Sequence, residues 1–116
     1  MKRYFALIPV FLLTGLLSCD SEKKEPPPKN LIPIPKMVAF LSDIHDTESS
    51  LLLSGIRQDT ANAMYPGMEK KIFEKHHLDS ARVMTSLKYY NENIELLDSI
   101  YSLLKTYKDT TQVKKP

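Results

Sequence analysis

Glu48 is the residue whose position in the sequence most strongly suggests chemistry. On a helical wheel of about 100° per residue, it lies near the centre of an apolar face, with His45 close by. A carboxylate buried there must be paired or protonated, because burying an isolated charge is costly. The partners that the sequence offers are Arg82, Lys88 and the hydroxyl groups of Tyr90 and Tyr101. The pattern predicts a buried hydrogen bond, an open helix end, or a ligand-binding or catalytic carboxylate.

Histidines and carboxylates lie close together in two short stretches, residues 43–48 and residues 76–79. His45 and Glu48 are three residues apart and can share a helix face, whereas the adjacent His76 and His77 point in different directions. The chain has no His-Glu-x-x-His motif and no cysteine besides Cys19. A metal site needs ligands that converge on one point. We therefore expect no metal and no cofactor.

The sequence also lacks the motifs of the common enzyme classes. Its three glycines are Gly15, Gly55 and Gly67, which are too scattered for a loop that cradles phosphate. Ser49, Ser50 and Ser54 have no base arranged beside them in the sequence. We expect a protein that is not an enzyme.

The amino terminus resembles the signal peptide of a bacterial lipoprotein. Lys2 and Arg3 precede an apolar run over residues 4–17, which is shorter than the roughly 20 residues of a membrane span. Leu16-Leu17-Ser18-Cys19 resembles a lipobox, in which the cysteine is acylated with palmitate-type chains and becomes the first mature residue. We expect a signal peptide over residues 1–18 and a membrane anchor on Cys19, the alternative being an ordinary signal with an incidental cysteine.

The remaining chain has the composition of one small neutral domain. Cleavage before Cys19 removes 18 of the 116 residues and leaves 98. Two of the 16 basic residues, Lys2 and Arg3, leave with the signal, so 14 basic residues face 14 acidic ones. A nucleic-acid-binding protein needs a basic stripe, which is missing here. With Cys19 acylated, no disulfide can form within the chain.

Proline and charge separate the expected anchor from the expected domain. Residues 19–34 contain Glu22-Lys23-Lys24-Glu25 and Pro26-Pro27-Pro28, which favour an extended chain. Fifteen such residues reach roughly 45 Å at about 3.1 Å each. Leu31, Ile32 and Ile34 are apolar, so we expect the last part of this tether to dock on the domain.

The periodicity of apolar residues predicts an all-α fold, a small bundle of three to four helices over residues 35–108, followed by a polar tail over 109–116. The predicted helices are Pro35 to Ser54 with Gly55 as the stop, a short one from Met68 to His77 after a turn at Tyr65-Pro66-Gly67, one capped by Asp79 and ending at Tyr90, and one from Ile94 to Lys108.

The same periodicity predicts which side chains face inward. Asp43 and Asp46 are expected to face water. The expected inward sets are Met37, Leu41, Ile44, Leu51 and Leu52 in the first helix and Val83, Met84, Leu87 and Tyr90 in the third. The apolar face of the last helix covers about half its circumference, so this helix is either central to the bundle or exposed to a partner. Tyr89, Tyr101 and Leu104 are the candidate interface residues, since tyrosine is a common interface anchor. The alternative is that the tyrosines cap the core with their hydroxyl groups in water.

Several short motifs, in this order, resemble a family of small Bacteroidetes lipoproteins that carry domain of unknown function 4296. They are Met37-Val38-x-x-Leu41-x-Asp43-Ile44-His45, the acidic Glu48, Tyr89-Tyr90 and Ile100-Tyr101. The chain departs from the family at His77, where glycine is commoner. The resemblance implies an all-helical domain over about residues 31–108 in the bacterial envelope, and it supplies no activity.

These features together predict a non-catalytic lipoprotein of the cell envelope that binds another envelope protein. The alternative is a lipoprotein that binds a small ligand or a peptide in a pocket near Glu48 and His45. Asp20 directly after the cysteine resembles an inner-membrane retention signal of some bacteria, whereas Asp20 and Glu22 resemble surface-export signals of Bacteroidetes. The family resemblance favours the outer membrane over the inner one. The sequence identifies no particular partner, pathway or oligomeric state.

Overall fold

A computed structural model describes residues 24–113 of the chain. Over these residues it contains four helices and no strand: α1 (Ile34–Leu53), α2 (Gln58–His76), α3 (Ser80–Asn91) and α4 (Ile94–Val113). The all-α prediction is therefore confirmed. The predicted signal peptide, Cys19, Asp20 and Glu22 lie outside the described residues. None of the described helices is both long enough and apolar enough to span a membrane.

Helix α1 is the element that holds the domain together. It packs against both α2 and α4, while α3 packs against α4. Pro35 occupies its first turn, where the missing amide hydrogen of proline costs no helical hydrogen bond. The main core cluster joins all four helices and two residues outside them: Ile32, Met37, Val38, Phe40, Ile72, Leu78, Val83, Tyr90 and Ile100.

The chain just before α1 docks on α3, as the sequence predicted. Ile32 is fully buried. Its amide donates a hydrogen bond to Ser86 Oγ at 3.0 Å, and its carbonyl accepts one from the Tyr90 hydroxyl at 2.5 Å. Arg82 Nε donates to the carbonyl of Asn30 at 2.8 Å. The domain therefore begins before its first helix.

The predicted turn at Tyr65-Pro66-Gly67 is wrong, because α2 runs without a break through Pro66 and Gly67. The helix packs against α1 on both sides of the proline. Tyr65 contacts Glu48, while Phe73 lies 5.1 Å from Phe40 between ring centroids. This packing outweighs the local preference of proline and glycine for a turn.

Helix α2 ends in a Schellman motif at His77. His77 has the left-handed values φ 50° and ψ 50°. Its amide donates to the carbonyl of Glu74 and the amide of Leu78 to that of Phe73. This pair of hydrogen bonds satisfies two carbonyls at the helix end.

The boundaries of α3 and α4 follow the prediction except at the end of the chain. Asp79 caps α3, since its side chain accepts from the amide of Arg82 at 2.9 Å. Helix α4 continues to Val113, five residues beyond the predicted end at Lys108.

The predicted inward faces are wrong at Leu52, in the last turn of α1, and at Met84, in the middle of α3. Leu52 is 75% exposed and Met84 is 68% exposed, whereas Val38, Phe40 and Ser86 are buried. The last turn of α1 extends beyond the core. The apolar face predicted for the whole helix therefore includes Leu52, which has no core to pack against.

Candidate functional site

The structure brings four of the five candidate residues to one groove between α1, α3 and α4, and leaves Tyr89 outside it. The groove has a volume of about 570 Å³. His45 and Glu48 line it from α1, and Tyr101 and Leu104 line it from α4. Its remaining lining is mostly apolar: Leu41, Ile44, Leu87, Asn91, Leu97 and Ile100. We call this feature the α1–α4 groove.

Glu48 is exposed, so of the predicted alternatives the structure shows the open helix end, where the carboxylate reaches water, and not the buried hydrogen bond. Its hydrogen-bond partner is the hydroxyl group of Tyr65, 3.2 Å from Oε1. Burial and the negative charges of Glu48 and Glu69 raise the pKa of Tyr65 above its ordinary value of 10. The carboxylate thus has solvent on one side and a neutral donor on the other.

The partners expected for Glu48 are engaged elsewhere or lie open to solvent. Arg82 binds the carbonyl of Asn30, Lys88 lies 3.8 Å from Glu92, and Tyr90 binds the carbonyl of Ile32. Tyr101 lines the same groove as Glu48, but no hydrogen bond joins the two side chains. His45 is also exposed, so neither residue forms a buried polar site.

The three candidate interface residues differ in how far they are available to a partner. Tyr101 is 61% exposed, while Leu104 is partly covered by the core that it packs against. Tyr89 lies outside the lining of the groove and packs edge-on against Tyr90, with ring centroids 5.9 Å apart. Tyr101 is therefore the residue of this set that offers a large surface for contact.

The family comparison covers most of the described chain. Residues 28–111 match the family described as Domain of unknown function (DUF4296). The chain belongs to this family. No curated protein and no solved structure matches the chain. The DUF4296 match begins at Pro28, ahead of α1, in agreement with the docking of Ile32 on α3.

A polar cluster that the sequence did not predict joins α1 to α2 in the DUF4296 domain. Asp43, expected to face water, lies 2.7 Å from Lys75 Nζ and 2.6 Å from His76 Nε2. Burial acts to raise the pKa of Asp43, but the hydrogen bonds from Lys75 and His76 outweigh it and the pKa is lowered. The hydrogen bond with Asp43 in turn raises the pKa of Lys75.

The cluster around Asp43 has the character of a structural contact. The His76 ring meets Phe40 edge-on, with centroids 5.7 Å apart, and its side chain is mostly covered. Asp46, also expected to face water, remains largely exposed and lies 3.1 Å from Lys108 of α4. In the part of the DUF4296 chain that the structure describes, no group of three or more His, Cys, Asp or Glu side chains could hold a metal ion.

Proposed function

We propose that this DUF4296 protein is a lipid-anchored lipoprotein of a Bacteroidetes cell envelope that binds another envelope protein and catalyses no reaction. The observation that carries the proposal is the α1–α4 groove, where apolar side chains of three helices line a cavity open to solvent. Contiguous exposed apolar surface of this kind marks interaction sites more often than isolated apolar residues do.

Tyr101 gives this groove an anchor for a partner. A tyrosine combines a large rigid ring with a polar tip, and such residues carry much of the binding free energy of protein interfaces. Tyr101 lies beside Leu97 and Leu104, so a partner that covers its ring also covers neighbouring apolar surface. This arrangement supports the proposal that α4 is broad in its apolar face because a partner covers part of it.

The interaction can be tested by affinity purification of the tagged full-length protein from detergent-solubilised membranes. We expect a stoichiometric envelope protein to co-purify with the wild type and to be lost from Tyr101→Ser. Met84→Ser is the matched control, because Met84 is as exposed as Tyr101 but lies on α3 outside the groove. Equal capture by both variants, or a wild type that purifies alone, would contradict the proposal.

The lipid anchor is proposed on Cys19, which follows the lipobox-like Leu16-Leu17-Ser18. Two or more acyl chains hold a protein on a membrane stably, whereas one does so only marginally. We expect the wild type to incorporate a clickable palmitate analogue and to fractionate with the outer membrane. Cys19→Ser should lose the label, and labelling that persists in this variant would rule out the anchor.

A second candidate function is the binding of a small ligand or a peptide near Glu48 and His45. The observation in its favour is that both side chains line the same groove. It differs from the first candidate in what it requires, since ligand binding should depend on Glu48 more than on Tyr101. Comparing Glu48→Gln with Tyr101→Ser separates the two candidates. Loss of binding mainly in Glu48→Gln supports a small ligand or a peptide, whereas loss mainly in Tyr101→Ser supports a protein partner.

A further inference from the structure

A second cavity lies on the other side of Glu48, between the end of α1 and the start of α2. It has a volume of about 320 Å³ and combines apolar walls with polar groups. Leu51, Leu52 and Ile56 supply apolar surface, and Glu48 and Tyr65 lie together at one side. We call it the tip pocket, because it lies where the α1–α2 hairpin turns.

Glu48 brings an unneutralised negative charge to this pocket. Over residues 24–113, no Lys, Arg or His nitrogen lies within 4.0 Å of its carboxylate. The other two carboxylates of α1 both have cations, since Asp43 pairs with Lys75 and Asp46 with Lys108. Arg57, in the loop beside the pocket, lies 3.2 Å from Asp59 instead.

The other polar groups of the pocket add to its capacity to accept hydrogen bonds. The side-chain amide of Gln58 donates to Asn62 Oδ1 at 2.9 Å, which leaves the carbonyl oxygen of Gln58 as an acceptor. Tyr65 already donates to Glu48 Oε1, so the second carboxylate oxygen remains for another donor. A ligand end that carries a positive charge and several donors complements these acceptors.

The apolar walls of the tip pocket favour a ligand whose other end is apolar. Leu52 is 75% exposed and Ile56 is 38% exposed. Lys and Arg side chains combine a flexible apolar stem with a charged head, and they bury the stem along apolar surface while the head meets a polar group. An ammonium or guanidinium group forms a stronger hydrogen bond with a carboxylate than a neutral donor does.

We propose that the tip pocket binds one Lys or Arg side chain of a protein partner, with its stem on Leu51, Leu52 and Ile56 and its charged head on Glu48. The inference rests on the proposed function only for the source of that side chain, which is the envelope partner. The pocket itself is distinct from the α1–α4 groove, and Glu48 is the residue that borders both.

The test uses two probes that match in shape and differ in charge, n-butylguanidinium and n-butylurea. Each is titrated into the full chain in lipid nanodiscs with labelled leucine and isoleucine methyl groups, observed by NMR. We expect n-butylguanidinium to shift the methyl signals of Leu51, Leu52 and Ile56 in a saturable way. We expect n-butylurea to bind at least about tenfold more weakly, a difference of about 1.4 kcal/mol.

Variants then test whether the charge of Glu48 causes the preference for n-butylguanidinium over n-butylurea. Glu48→Gln should weaken n-butylguanidinium at least about tenfold and remove the difference between the probes. Glu69→Gln is the control, because Glu69 is another carboxylate near Tyr65 that does not line the pocket, and it should bind as the wild type does. Equal binding of the two probes, or no loss in Glu48→Gln, would assign the pocket to an apolar side chain and overturn the inference. Absence of any saturable shift would overturn it as well.

Failure of this inference can be told apart from failure of the proposed function. Tyr101→Ser should lose the envelope partner yet bind n-butylguanidinium normally, because Tyr101 is not part of the tip pocket. If no partner is captured but the cation still binds in a Glu48-dependent way, the pocket stands and the proposed partner does not. If a partner is captured through Tyr101 and the two probes bind equally well, the inference about the tip pocket is wrong and the proposed function is not affected.

Discussion

At the scale of single residues, His77 is held in a backbone conformation that its side chain disfavours. Its φ of 50° is the one positive value among the non-glycine residues that the structure describes. Glycine adopts this conformation without the steric cost that a Cβ atom brings. We predict that His77→Gly raises the free energy of unfolding by about 0.5–1 kcal/mol, measured by urea denaturation.

The control for this prediction is His77→Ala, which removes the imidazole ring but keeps the Cβ atom. If the backbone conformation is the cause, alanine should give no gain in stability. An equal gain in both variants would instead point to the exposed imidazole ring, and no gain in either would show that the left-handed turn costs little at this position.

Single residues also show where sequence patterns suffice and where they do not. The capping role of Asp79 could be predicted because it depends on residues within three positions. The environments of Asp43 and Glu48 could not be predicted, because they depend on which neighbour covers each side of α1. Helix α2 lies against Asp43 and supplies Lys75 and His76, whereas Glu48 lies toward the open end of the same helix.

At the scale of elements, the two described glycines allow a matched comparison of helix and turn. A Cβ atom added at either Gly55 or Gly67 would meet no atom within 4 Å. Gly67 is inside α2, while Gly55 ends α1 with a φ of 68°. We predict that Gly67→Ala raises the unfolding free energy by about 0.5–1 kcal/mol and that Gly55→Ala lowers it by about 1 kcal/mol.

Thermal and urea denaturation of both variants measure this difference. Since neither substitution creates a steric clash, opposite signs identify backbone conformation as the cause. Stabilisation by Gly55→Ala, or destabilisation by Gly67→Ala, would contradict the continuous α2 and the left-handed turn described above.

The continuity of α2 also explains why this helix was the hardest element to predict. Pro66 and Gly67 together are a strong local signal for a turn, and nothing within ten residues outweighs it. The contacts that do outweigh it come from α1, at Glu48 on one side of the proline and at Asp43 and Phe40 on the other. Such contacts become known only once the hairpin is formed.

The α1–α2 hairpin should lose stability in acid because of Asp43. Its pKa in the folded protein lies below the ordinary 3.8, so the ionised carboxylate stabilises the fold above that pH. This stabilisation is lost as the pH falls through the folded pKa. We predict that unfolding free energies measured from pH 7 down to about pH 2.5 fall less steeply in Asp43→Asn than in the wild type.

Glu74→Gln is the comparison for the acid experiment. Glu74 lies 3.9 Å from Lys70 on the exposed face of α2, and such exposed pairs contribute little. This variant should follow the wild-type pH profile. A profile of Asp43→Asn that is parallel to the wild type would mean that the pair with Lys75 and His76 does not couple α1 to α2.

At the scale of the whole molecule, the domain is longer than its helices. The family match begins at Pro28 and Ile32 is fully buried, so the residues before α1 belong to the folded unit. The extended segment proposed to lead from Cys19 then ends near Asn30. The eleven residues from Asp20 to Asn30 would reach roughly 34 Å at about 3.1 Å each if extended, against the roughly 45 Å expected from the sequence for fifteen.

Docking of the residues just before α1 on α3 should depend on the Tyr90 hydroxyl group. Burial, together with the neighbouring Tyr89, raises the pKa of Tyr90 above its ordinary value of 10. Its hydroxyl donates a hydrogen bond to the carbonyl of Ile32. Tyr90→Phe would leave that buried carbonyl without its donor, at a cost of about 1–3 kcal/mol. We predict this loss in urea denaturation, together with faster hydrogen exchange at the Ile32 amide.

Tyr89→Phe supplies the matched control, because the same hydroxyl is removed from the adjacent ring without breaking a hydrogen bond to Ile32. Its stability and the exchange rate at Ile32 should stay close to those of the wild type. If Tyr90→Phe unfolds at the wild-type denaturant concentration, water must replace the missing donor and the segment is only loosely held. If both variants lose stability equally, packing of the two rings accounts for the effect, and the reach of the tether is set by something other than this hydrogen bond.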